Sequence, residues 1–319
     1  MASTNDKAVL APVDGRIIVY RIVKYAALVA LFALAVKFIL LDTVLVRTDQ
    51  MEPTLQDGDR VVVFKTFHAW PFSALFVPLR KSPVVFANPQ QGGKPSCLRV
   101  AAVSGDSLVV SSGKCLILNR HAAAFSSKSL FEELLPPDYS PRDSIPVYRM
   151  PRKGTKVSLD SLSLRDFFFA ASLIRQENPK ETFRLKPAPF VDGAPTDSLY
   201  IREFYLYKGP LDSVPAKFEY DWFFWDRMRD YLVKSYTGKD VFLGFILQRN
   251  GVRMMDYTFK KSCIFLVADD WQKGFDSRYF GPVVASSVKG RVICVLWSFG
   301  KDVEGKSYFR INRTFKIIK

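Results

Sequence analysis

From Tyr25 to Leu41 the chain is almost wholly apolar, with Lys37 as its one charge, and apolar character resumes at Thr43-Val44-Leu45-Val46. At about 1.5 Å per residue, roughly twenty residues match a hydrocarbon core of about 30 Å. The stretch has no polar face, which argues against a helix buried in a soluble core. Arg16, Arg21 and Lys24 precede it. The positive-inside rule then leaves residues 1–24 in the cytoplasm and everything after about Thr48 outside. Lys37, near the far end, can reach the headgroups. Ala33-Leu34-Ala35 has the small residues of a cleavage site, but apolar sequence continues past it, which suits a permanent anchor better. The expectation is one transmembrane helix over 25–46, with the lipid bilayer as first partner.

Beyond the anchor, short β-rich runs dominate. Arg60–Lys65, Pro83–Phe86, Cys97–Val103, Ser107–Val110, Lys114–Leu118, Ser262–Val267 and Gly290–Trp297 are rich in strand formers and bounded by Gly, Pro and Asp turns. That pattern predicts an antiparallel β domain. Between 120 and 248 the character shifts. Pro136–Pro141 reads as a loop, Ser161–Arg175 as a helix opened near Ser158, and Arg227–Lys234 as a second helix. Phe167, Phe168 and Phe169 read as core. The aromatics of Trp222-Phe223-Phe224-Trp225 suit either burial or a membrane interface.

A net charge of +15 raises the question of nucleic acid, yet the basic residues are spread, in runs no longer than Arg80-Lys81 or Lys260-Lys261. No zinc-finger or RNA-binding signature is present, and a nearby anionic membrane explains the charge as well. Four cysteines (Cys97, Cys115, Cys263, Cys294) lack CxxC spacing, and His68 and His121 are the only histidines. No metal site and no cofactor are expected. Cys97 and Cys115 flank a hairpin and could pair or be two buried thiols.

The chemistry-bearing run is Thr48-Asp49-Gln50-Met51-Glu52-Pro53-Thr54-Leu55-Gln56-Asp57-Gly58-Asp59. It resembles the active-site signature of bacterial type I signal peptidases, the S26 family, which reads Ser-Met-x-Pro-Thr-Leu and then Gly-Asp. Leu98-Arg99-Val100 with Gly105-Asp106 is similar to the family's lysine segment. Asp276-Ser277-Arg278-Tyr279-Phe280-Gly281 is similar to its last signature, and Asn250-Gly251 and the C-terminal Ile311–Lys319 are similar to a long-insertion branch.

The resemblance implies a mainly β fold: a signal-peptidase-like antiparallel domain over 47–119 and 249–319, with an inserted α+β region over 120–248. It also implies a serine nucleophile and a lysine base, and here Gln50 and Leu98 stand in those places. Gly274 replaces the serine that supports the lysine, and Ala268-Asp269-Asp270-Trp271 replaces Gly-Asp-Asn-Arg. Thr48 alone keeps a hydroxyl on the oxyanion side. A carboxamide cannot form an acyl-enzyme, and no base remains. Gly58, Asp59, Arg99, Gly105, Asp106, Asp269, Asp276, Ser277 and Arg278 are the structural signature, with Asp276 and Arg278 expected to pair.

The resulting expectation is a membrane-anchored pseudoprotease of protein secretion. It binds exported-protein peptides through Met51, Pro53 and Thr54, or partners an active signal peptidase. The alternatives are an active peptidase with a non-standard site, and a structural subunit of an envelope complex using Trp222, Phe223 and Trp225 as an interface.

Overall fold

In the computed structural model, helix α1 (Gly15–Leu40) gives way to a strand, Leu41–Leu45. The structure describes residues 15–65, 79–111, 114–118, 125–126, 144–196, 199–204 and 207–318. His68, His121, the end of the Leu118-Asn119-Arg120 segment and the Pro136–Pro141 loop lie outside them. The chain divides into a unit of residues 1–42 and a unit of residues 43–319.

The structure changes the expected anchor. The helix starts ten residues earlier than 25, and 41–46 leaves it for extended backbone. β-Branched Thr43, Val44 and Val46 favour a strand. Val46 confirms the switch by exchanging backbone bonds with Asp59 (2.8 Å) and Gly58 (3.0 Å). Among the described residues no helix is long and apolar enough to cross a membrane, so the expected transmembrane helix is not supported.

The second unit is mainly antiparallel β, as the spacing of strand runs and turns predicts. Its largest sheet runs in the order Leu41–Leu45, Asp59–Lys65, Val288–Lys301, Pro83–Asn88, Lys94–Val103, Cys263–Val267 and Val283–Val284. Val288–Lys301 is longer than the expected Gly290–Trp297 and stays paired through several register shifts. One core lies at this sheet and contains Met51, Leu55, Val61, Val85, Leu98 and Leu266.

A second core gathers the inserted region around two helices, α2 (Leu164–Glu177) and α3 (Trp222–Ser235). α2 is capped by Ser163, and it buries Phe167, Phe168 and Phe169 as expected. α3 begins earlier than the expected Arg227. Asp221 accepts from the N–H groups of Phe223 and Phe224, a helix N-cap written in the sequence just before the aromatic run. The aromatics therefore lie inside the helix. Trp222, Phe224 and Trp225 are buried, so Trp222 and Trp225 do not form the exposed interface that the envelope-subunit reading requires. All four cysteines are free, which removes the Cys97–Cys115 pairing.

Gly58 shows why the first Gly-Asp must be glycine. Its φ is +88°, and a β-carbon there would lie 1.8 Å from the carbonyl oxygen of Phe299. The following Asp59 is fully buried and holds the Arg313 guanidinium through two bonds, of 3.0 and 2.5 Å. Burial alone would raise the Asp59 pKa, but the bonds from Arg313, Ser298 and Gln56 outweigh it and hold the carboxyl below its ordinary value. A depressed folded pKa contributes stability above the ordinary carboxylate range, lost as pH falls through the folded value. Unfolding measured between neutral pH and about pH 2 should show this loss, and Asp59→Asn should flatten the acid limb. An unchanged acid limb would remove Asp59 from the account.

Candidate active-site region

The candidate site is built where the turn after Val46 meets the Lys94–Val103 strand. Gln50 is buried. Its side-chain amide donates to the Cys97 carbonyl oxygen at 3.1 Å and to Ser96 Oγ at 3.2 Å, while its own backbone carbonyl accepts from Asp270 N–H at 3.0 Å.

The direction of that contact follows from the sheet. Val100 turns its N–H and C=O to the Lys81–Ser82 side, at 3.0 and 2.7 Å. Backbone groups alternate along a strand, so Cys97, three residues earlier, turns its own to the opposite edge. The neighbour on that edge, Cys263–Val267, pairs only as far as Arg99. Gln50 thus occupies the carbonyl of a strand edge just beyond the end of the ladder.

Leu98, at the base position, has no solvent exposure and belongs to the core with Met51. Pro53 and Thr48 are exposed, and Thr54 Oγ1 accepts from Arg99 at 3.1 Å. Of the three groove candidates, only Pro53 and Thr54 therefore present any surface.

Gly274 leaves no room for a side chain. A β-carbon on it would sit 2.0 Å from the Ala268 β-carbon and 2.9 Å from the Asp270 carbonyl oxygen. The methyl of Ala268 fills the space a residue-274 side chain would need. Positions 268 and 274 therefore form one packing unit. Trp271 is also buried, its ring 3.9 Å from the Arg278 guanidinium carbon, and its indole N–H has no acceptor.

Four aspartates hold this frame, each by an arginine. Asp59 binds Arg313, Asp106 binds Arg80 at 2.8 and 2.6 Å, Asp269 binds Arg99 at 2.7 and 2.6 Å, and Asp276 binds Arg278 at 2.9 Å. The Asp276–Arg278 pair expected from sequence is present and fully buried. Arg80 and Arg313 had no sequence signal as partners. Ser277 Oγ accepts from Leu266 N–H at 3.0 Å.

Residues 19–147 match the family model described as signal peptidase, peptidase S26. No curated protein matches the chain. The matched stretch carries both Gln50 and Leu98. The signature at 268–281 lies beyond it and stands on its own residues.

The polar side chains at or near Gln50 among the described residues include Lys273, Arg99, Cys97 and Ser96. Lys273 bridges Asp49 at 3.1 Å and Glu52 at 3.4 Å, and its hydrogen bond to Asp49 raises its pKa, which keeps it protonated. Arg99 is held by both carboxylate oxygens of Asp269. Burial pushes the Cys97 thiol up to about 12, with Asp269 adding to it, so the thiolate nucleophile is absent at neutral pH. Ser96 Oγ spends its contact on Gln50. Among the described residues no His, Cys, Asp and Glu cluster could hold a metal.

Proposed function

We propose that this chain is a signal-peptidase homologue that has lost peptide-bond hydrolysis and acts by partnering another protein of the secretion machinery. The observation that carries the reading is the Gln50 amide on the Cys97 carbonyl, beside a Leu98 with no exposure. Extended peptides dock by pairing with strand edges. Gln50 uses that carbonyl from within the chain, which favours partnering over peptide capture at the old site. An active signal peptidase is the partner of first choice, because a shared frame supports association with the same membrane and the same exported chains. Membrane association belongs to the same proposal; its support is the family match and the exposed Ile22, Leu28 and Phe32 of α1.

The test is a preprotein cleavage assay with the purified full-length protein in detergent, beside a variant carrying Gln50→Ser, Leu98→Lys, Ala268→Gly and Gly274→Ser. Ala268→Gly is required because Gly274→Ser alone collides with the Ala268 methyl. The native chain should give no cleavage above buffer, and it should co-purify with an active signal peptidase. Cleavage that tracks the native protein through purification would overturn the inactive reading. Cleavage by the fourfold variant would show that the frame still aligns a dyad.

A further inference from the structure

The strands Ile145–Arg149 and Lys156–Ser158 follow each other closely in sequence. The turn between them is closed by Thr155 N–H on the Arg152 carbonyl and Arg152 N–H on Thr155 Oγ1, both 3.0 Å. So short a connection ordinarily joins the two paired strands of a hairpin. Here the arms pair elsewhere. Ile145–Arg149 ends a sheet beside Ser107–Ser111, while Lys156–Ser158 pairs with Asp256–Thr258. Between them lies a cleft of about 680 Å³, with Val147 and Arg149 on one wall and Thr155 and Val157 on the other. That is within the usual size of ligand pockets, roughly 300–1,000 Å³.

Both edges turn backbone groups away from their own sheets. Met150 N–H donates to Asp106 (2.8 Å) and its carbonyl accepts from Gly105 (3.0 Å), so alternation turns the Arg149 groups away from that sheet. Thr155 accepts from Phe259 (3.0 Å) and Leu159 donates to Met255 (2.7 Å), so Lys156, between them, turns its groups away from its own partner strand. Natural proteins cover or blunt such edges, and Val147 on this one is 53% exposed.

The charge of the cleft selects its occupant. Arg149 and Arg152 line it, and among the described residues neither has an ion-pair partner. Asp166, which also lines it, is engaged by Arg165 at 2.9 Å. The cleft is therefore cationic, with apolar lining that includes Ala170 and Phe259.

We propose that this cleft is a peptide-binding site that takes an extended segment bearing acidic side chains, added as a strand between the two open edges. Backbone pairing supplies affinity, and Arg149 and Arg152 supply the preference for carboxylates. The site is separate from Gln50 and does not rest on the loss of cleavage.

The experiment is fluorescence anisotropy on the full-length protein in detergent with three labelled eight-residue peptides. One alternates valine and glutamate, the second alternates valine and lysine, and the third is the glutamate peptide N-methylated at alternate amides. The glutamate peptide should bind at least about tenfold more tightly than either of the others. Arg149→Glu with Arg152→Glu should abolish that preference without moving the thermal midpoint, since both side chains are exposed. Gln50→Ser should leave binding unchanged. Equal binding of the glutamate and lysine peptides, indifference to N-methylation, absence of binding, or loss of binding in Gln50→Ser would each overturn the assignment.

Discussion

Asp276→Ala is expected to destabilise the domain by about 3–5 kcal/mol, the usual cost of leaving one partner of a buried ion pair alone. Both Asp276 and Arg278 are fully buried. Asp276 also accepts from Ala268 N–H at 2.8 Å and Arg278 N–H at 3.0 Å, and it caps α4 (Ser277–Phe280). Its loss therefore strands a guanidinium and two backbone donors together. Arg278 keeps its bonds to the carbonyls of Trp271 (2.8 Å) and Gly274 (3.5 Å) and its place against the Trp271 and Tyr279 rings, none of which carries the opposite charge. Urea denaturation of the variant against the native chain measures the effect. Adding Arg278→Met should restore part of the loss, because an uncharged side chain leaves no stranded charge. A cost under about 1 kcal/mol would mean that water reaches the pair.

Leu98→Lys carries the second large effect and tests the proposed loss of a lysine base. Leu98 has no exposure and packs in the core with Met51, Val100 and Leu266. An ammonium there loses its water without a partner, at an effective cost of several kcal/mol. The lysine escapes part of this by releasing its proton, so its folded pKa falls below the unfolded value of about 10.4. The sign is then fixed: between the two pKa values the unfolded chain binds more protons, so stability rises with pH. Denaturation midpoints from pH 6 to about pH 10 should climb in Leu98→Lys relative to the native chain. A flat difference would mean that the side chain reaches solvent. In a lysine-dependent peptidase this same depression makes the base.

The strands and turns of the large sheet were legible because their signals are local. Alternating β-branched residues and Gly-Asp turns placed Asp59–Lys65, Lys94–Val103 and Cys263–Val267 to within a few residues. The helix boundaries were less so. Asp221 was a readable N-cap, yet the aromatic density after it masked the helix. Gln50 and Leu98 stood out in the sequence as departures from the signature that the chain resembles. What Gln50 does there was not legible, since its contacts lie 46 and 47 residues away on a strand edge. The arginines that hold Asp59 and Asp106 were equally hidden, because pairing at a distance leaves no mark on spacing. The link between Ala268 and Gly274 is a matter of one methyl group, and only coordinates could show it.

The central place of Val288–Lys301 in the large sheet has a consequence for how the chain is made. Asp59–Lys65 and Pro83–Asn88 both take this strand as a neighbour, so it separates them. Ribosomes add ~5–20 residues per second, so the early strands wait ~10–45 s for the partner that joins them. During that interval each keeps a hydrogen-bonding edge open to any passing strand. The burden of protecting the nascent chain falls on whatever holds it while it is being translated.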